Sequence, residues 1–117
     1  PQAQAAIQQW RQQAKQYVAN TTLLDAANGL IQPGQASTYN RAIEVAKKVS
    51  PGEPGSEQAR KSINKWSEII LQLAMRRASR GETKAAIATA SLVPEGTSAY
   101  NKAQQAIEKW QNRKPQK

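Results

Sequence analysis

The chain has 117 residues and a formal net charge of +9, from 17 Lys and Arg against 8 Asp and Glu. It contains no Cys and no His, which excludes disulfides, thiolate metal sites and the Cys–His and Ser–His–Asp catalytic sets. No window approaches the roughly 20 apolar residues of a membrane span, and no signal-peptide apolar region is visible.

Apolar residues make up 38% of the chain; 20 of them are Ala, and Phe is absent. Large side chains are therefore scarce, and helix faces must approach closely. With 15 Gln and many Lys and Arg, all helix-favouring, and no β-branched runs, the composition predicts an all-α protein. The length suits a single domain over residues 1–117. The start at Pro1 without Met reads as a piece of a larger protein.

The first segment predicts a long helix. Ile7, Trp10, Ala14, Tyr17, Thr21, Leu24 and Ile31 fall on one helical stripe. Asn28-Gly29 weakens or ends it, and Pro33-Gly34 ends it more firmly. A shorter helix follows near Ser37 to Val49, capped by Ser37 or Thr38, with Tyr39, Ala42, Ile43, Ala46 and Val49 facing inward. Ser50 to Gly55 is a stop and turn.

The next long helix is expected from Ser56 to Arg80, with Ala59, Ile63, Trp66, Ile70, Leu73 and Ala74 on one face. Ile69 and Leu71 broaden that face, as for a helix touched on more than one side. Gly81 fits its C-terminal cap. A short helix from Glu82 to Leu92 turns Ala86, Ile87, Ala90 and Val93 inward; Pro94-Glu95-Gly96 breaks it. A last helix spans Ser98 to Arg113, and the tail Lys114 to Lys117 is expected to fray.

The order long, short, long, short, long makes neighbouring helices antiparallel. Two hairpin units, about 1–50 and 56–93, and a closing helix at 98–113 fit either a short α-solenoid or a five-helix bundle. A recurring motif favours the solenoid. Ala-x-x-[Ala/Ser]-Ile-x-x-Trp occurs at Ala3–Trp10, Ala59–Trp66 and Ala103–Trp110. Ile43, Ala46, Val49, Gly52, Ala59, Ile63 and Trp66 each have a like residue 44 positions on, at Ile87, Ala90, Val93, Gly96, Ala103, Ile107 and Trp110. The first Trp lies 56 before the second, so the first unit carries an insertion of 12. Units that cannot bury their own faces share a core by stacking.

The run Gly81-x-x-x-x-Ala86-Ile87-x-x-Ala90, then Pro94, then Tyr100-x-x-Ala103 resembles a divergent tetratricopeptide-type helical hairpin. The period of 44 departs from that family's 34 or so. Trp also stands midway along the long helix rather than opening a Trp-x-x-Leu-Gly pattern. The units are similar, too, to repeat regions of uncharacterised cyanobacterial proteins. The tetratricopeptide resemblance implies stacked hairpins and a binding groove; the second implies no activity.

The three Trp are expected to fill equivalent gaps between a long helix and its neighbour; an aromatic binding platform is the rival reading. Arg76, Arg77, Arg80 and Lys84 form the densest basic cluster and suit an anion site for phosphate or acidic side chains. The same cations also suit a helix C-terminus, where the macrodipole favours them; Lys47-Lys48 before the earlier stop fit that explanation. Arg60, Lys61 and Lys65, with Glu57 and Glu68 nearby, read as a solvated face. Tyr39, Asn40, Thr83 and Lys84 are candidates for a groove surface.

Carboxylates are scattered without a close acid/base pair, an EF-hand loop or a phosphate loop. The expectation is a protein that is not an enzyme and has no catalytic residues, cofactor or metal. The expected role is a scaffold or protein–protein interaction module for an acidic protein or peptide partner. Nucleic-acid or anionic-membrane binding through a basic face, and a structural spacer role, are the alternatives.

Overall fold

The computed structural model describes residues 2–112. Among these the chain is all-helical: α1 (Gln2–Leu30), α2 (Ala36–Ala46), α3 (Ser56–Ser79), α4 (Thr83–Ala90) and α5 (Tyr100–Gln111). The five expected helices are present in order, with 29, 11, 24, 8 and 12 residues. Arg113 and the tail Lys114 to Lys117 lie outside the described residues.

Each helix packs on its neighbour in sequence, α1 on α2, α2 on α3, α3 on α4 and α4 on α5, while α3 and α5 barely touch. The result is a long, thin body of 78 × 24 × 13 Å. Its core runs from Leu24 to Trp110 and is rich in small residues. Ala42, Ala46, Ala86 and Ala90 of the short helices are fully buried. They face long helices that supply Leu24, Trp66, Ile70, Leu71 and Ala74. Alanines at these contacts put only a methyl group between the helices, so a core with few large residues still packs. Because α3 is covered by both α2 and α4, it buries Trp66 and Ile70 together with Ser67 and Leu71.

The turns are set by local chemistry. Pro51-Gly52 occupies the centre of a turn closed by Glu53 N–H to Ser50 C=O at 3.1 Å, with φ +86° at Gly52. That is a type II turn, which needs positive φ at its third residue. The same bond recurs 44 residues on, from Thr97 N–H to Pro94 C=O at 3.4 Å, with φ +86° at Gly96. The bonds Val49 to Ala46 and Val93 to Ala90, both 3.1 Å, share that offset. So do Ala59 to Gly55 at 3.0 Å and Ala103 to Ala99 at 2.9 Å.

Long-range pins recur at the same offset. Asn20 Nδ2 donates to Pro54 C=O at 2.9 Å, and Ser98 N–H donates to Asn64 Oδ1 at 3.0 Å. Between these pins the helix-to-helix turn is not fixed. Gly34 follows Asn20 more closely than Gly81 follows Asn64, by three positions. The short helix compensates, with 11 residues in α2 and 8 in α4. Length has moved from the short helix to the long one while the total spacing is kept.

Two expectations are corrected here. The expected caps Ser37 and Thr38 lie inside α2, whose N-cap is Gln35 without a side-chain bond. Thr38 is buried instead, its hydroxyl donating to Gln35 C=O at 2.7 Å and accepting from Gln32 N–H at 3.0 Å. The three Trp are also not equivalent. Trp66 and Trp110 are 4% and 9% exposed, whereas Trp10 is 70% exposed. Counted back from Trp66 by 44 positions, the offset of the recurring turn bonds, the matching position is Thr22. Trp10 lies roughly three helical turns ahead of it. The short helices do not reach that far.

Candidate functional site at the corner between α3 and α4

The basic cluster lies where α3 ends. Glu82 N–H donates to Arg77 C=O and Gly81 N–H to Ala78 C=O, both at 3.0 Å, with φ +83° at Gly81. This is the Schellman arrangement, which satisfies the last carbonyls of a helix and reverses the chain. Arg76 and Arg77 stand in the final turn, where the negative end of the helix dipole favours cations.

The four candidates do not form one surface. Arg76, Arg80 and Lys84 are exposed. Arg77 is half-buried and turns toward α4, where Nη1 donates to the Thr89 hydroxyl. Thr89 in turn donates to Ala85 C=O at 2.8 Å and is buried. Arg77 thus forms one wall of an open groove of about 490 Å³ beside the α1–α2 turn, with Gln35, Ser37, Ala88 and Leu92. None of the four joins an ion pair among the described residues.

The groove candidates fare unevenly. Tyr39 belongs to the buried core. Asn40 is half-buried and donates Nδ2 to Leu92 C=O at 2.7 Å, tying α2 to the end of α4. Both serve the fold rather than the groove surface. Thr83 is half-buried and Lys84 exposed.

The stripe on α3 is an ordinary solvated face. Arg60 pairs with Glu57 at 2.8 Å. The hydrogen bond from Arg60, and secondly its charge, hold the Glu57 carboxyl below its usual range; the same bond raises Arg60. Lys61 and Lys65 are exposed. The other ion pair joins Lys47 to Glu44 at 3.7 Å.

Sequence reasoning passed over a second concavity. A groove of about 460 Å³ runs between the turns after α2 and α4, floored by Val49, Ala59 and Ile63 and rimmed by Lys47, Glu57, Arg60 and Glu95. Only tertiary packing brings these two turns together. Among the described residues no three His, Cys, Asp or Glu gather to hold a metal ion, and no helix is long and apolar enough to cross a membrane.

Fold and corner together define a chain of sequential antiparallel helices with a cationic end to its central helix. Comparison with known protein families, curated proteins and solved structures finds no match to this chain.

Proposed function

We propose that this chain is a non-catalytic interaction module, a scaffold element of tetratricopeptide-like hairpins that engages an acidic protein or peptide. The observation that carries the reading is the corner itself. Arg76, Arg80 and Lys84 are exposed and take no part in the ion pairs among the described residues. They stand on a chain whose net charge is +9. Exposed guanidinium groups donate to both oxygens of a carboxylate in a two-pronged geometry that ammonium groups do not match. Arg77, held by Thr89, offers a fixed fourth cation at the mouth of the adjoining groove.

An extended acidic segment crossing the corner toward Gln35 and Ser37 would meet both elements. Residues 76–84 include no aromatic side chain on which a base would stack, which favours peptide over single-stranded nucleic acid. The complete lack of His and Cys supports a non-catalytic role.

The test is binding of a fluorescent Glu-rich peptide, with an oligonucleotide of equal charge as the rival probe. The double variant Arg76→Glu/Arg80→Glu should abolish peptide binding while circular dichroism stays unchanged. Because exposed charges are screened within about 10 Å at 0.1 M salt, binding should also weaken as salt rises. Peptide binding that survives both changes would refute the assignment. Preference for the oligonucleotide, with a steep salt slope, would replace it with nucleic-acid binding.

A further inference from the structure

The N-terminal part of α1 extends beyond the helices that cover the rest of the chain. From Ala3 to Ala19 every residue except Gln16 is exposed. The bare face is apolar: Ile7, Trp10, Tyr17 and Val18 are 50%, 70%, 51% and 64% exposed. A contiguous patch of this kind on a helix marks a contact surface.

Its spacing says what kind of contact. Ala3, Ile7, Trp10, Ala14, Tyr17, Thr21 and Leu24 follow one another in alternating steps of four and three. That is the heptad seam of a helix paired lengthwise with another helix. Leu24, at the far end, is already buried in the core. One seam therefore passes from covered to uncovered along a single helix.

We propose that the uncovered seam pairs with α1 of a second copy of this chain, antiparallel, about a two-fold axis near Gln12. Side-chain size selects this register. Trp10 then faces Ala14 of the partner subunit, Ile7 faces Tyr17 of the partner subunit, and Ala3 faces Thr21 of the partner subunit. The bulkiest ring meets one of the smallest residues, twice. Sliding by one heptad in one direction sets Trp10 against Ile7 of the partner subunit and leaves Ala3 opposite Ala14 of the partner subunit, a clash beside a void. Sliding the other way calls on Leu24, which is occupied.

The rest of the molecule permits the pairing. The turn after α2 first reaches α1 at Asn20, which bonds Pro54. With the axis at Gln12 the two bodies fall at opposite ends of the paired helices. The contact is self-complementary and closed, as two-fold dimers require.

Charge gives the pairing a signature of its own. Between Gln2 and Leu24 the only charged side chains are Arg11 and Lys15, and Gln supplies most of the remaining polar positions. Two such helices repel in either orientation, so their association should strengthen as salt rises. Binding of an acidic peptide at the α3–α4 corner should weaken with salt, so the two proposals fail separately. Roughly 25 Å of paired helix is a small interface, and the dimer should be concentration-dependent.

The experiment is sedimentation equilibrium of the 117-residue chain over a concentration series at low and high salt. The expected result is a monomer–dimer equilibrium that shifts toward dimer at high salt. Trp10→Glu should weaken dimerisation at least about tenfold, with helicity retained because the ring is exposed. Trp10→Ala and Ala14→Trp should each weaken it, and the double variant should restore it by exchanging large and small across the axis. A chain that stays monomeric throughout overturns the proposal and leaves the seam to a foreign helix. Dimers indifferent to Trp10→Glu, or no recovery in the double variant, overturn it as well.

Discussion

Asn20 donates its side-chain amide to the carbonyl of Pro54 at 2.9 Å, pinning the turn after α2 onto α1. Forty-four residues on, the polarity of the pin is reversed: Asn64 accepts from the N–H of Ser98 at 3.0 Å. The backbone chemistry explains the switch. Pro54 has no N–H to give, so only its carbonyl is open to Asn20, whereas Ser98 offers a donor. An asparagine side chain carries both functions and serves either position by turning its amide over.

This makes an asymmetric prediction. Asn20→Asp removes the donor from a buried site and sets a carboxylate beside Glu53, which lies 3.4 Å from the amide nitrogen. A loss of about 1–3 kcal/mol in urea unfolding is expected. Asn64→Asp keeps the acceptor facing Ser98 and should stay within about 0.5 kcal/mol of the parent. Equal losses at both sites would contradict the assigned polarities.

The tryptophans should separate as cleanly. Trp66→Ala empties a core position and should cost about 3–5 kcal/mol, a large share of the roughly 5–15 kcal/mol that holds a typical domain. Trp10→Ala, measured at concentrations too low for self-association, should change stability by less than about 0.5 kcal/mol. Chemical unfolding followed by far-ultraviolet circular dichroism reads both. A large loss at Trp10 would mean that the ring is covered within its own chain.

Two glycines, one inside α1 and one just after α3, should respond with opposite signs. Gly29 lies inside α1 with nothing within 4 Å of an added Cβ, so Gly29→Ala should raise stability by about 0.4–1 kcal/mol. Gly81 holds φ +83° in the reversal after α3. Gly81→Ala should cost about 1–2 kcal/mol, although open space surrounds that position too. Thermal melts of the two single variants decide this.

The Glu57–Arg60 pair sets a pH expectation. The Glu57 carboxyl is held low, first by the Arg60 hydrogen bond and then by its charge. A carboxyl depressed in the folded state binds fewer protons there than in the unfolded chain. Its contribution is therefore present above the ordinary carboxylate range and fades as pH falls through the depressed value. The pair is exposed, so the effect on stability should be slight. Carboxyl NMR should place the Glu57 midpoint below that of the same group in Arg60→Ala; equal midpoints would deny the pair in solution.

The amino-acid sequence alone determined the helices, because their signals are local. Helix-favouring composition, stripes of apolar residues and the breakers Pro33-Gly34, Pro51-Gly52, Pro54-Gly55 and Pro94 act within a few residues of chain. The 44-residue spacing was equally legible, since the alanines at 42 and 86 and at 46 and 90 answer to the same close approach. The tertiary structure alone decided which copies of a motif are covered. Trp10, Trp66 and Trp110 stand in nearly the same local sequence, yet burial depends on whether a short helix lies alongside, a contact between residues far apart in the chain. The basic cluster divided for the same reason. Arg76 and Arg77 are adjacent in sequence, but successive residues on a helix point about 100° apart. One therefore faces water, while the other meets Thr89 on α4.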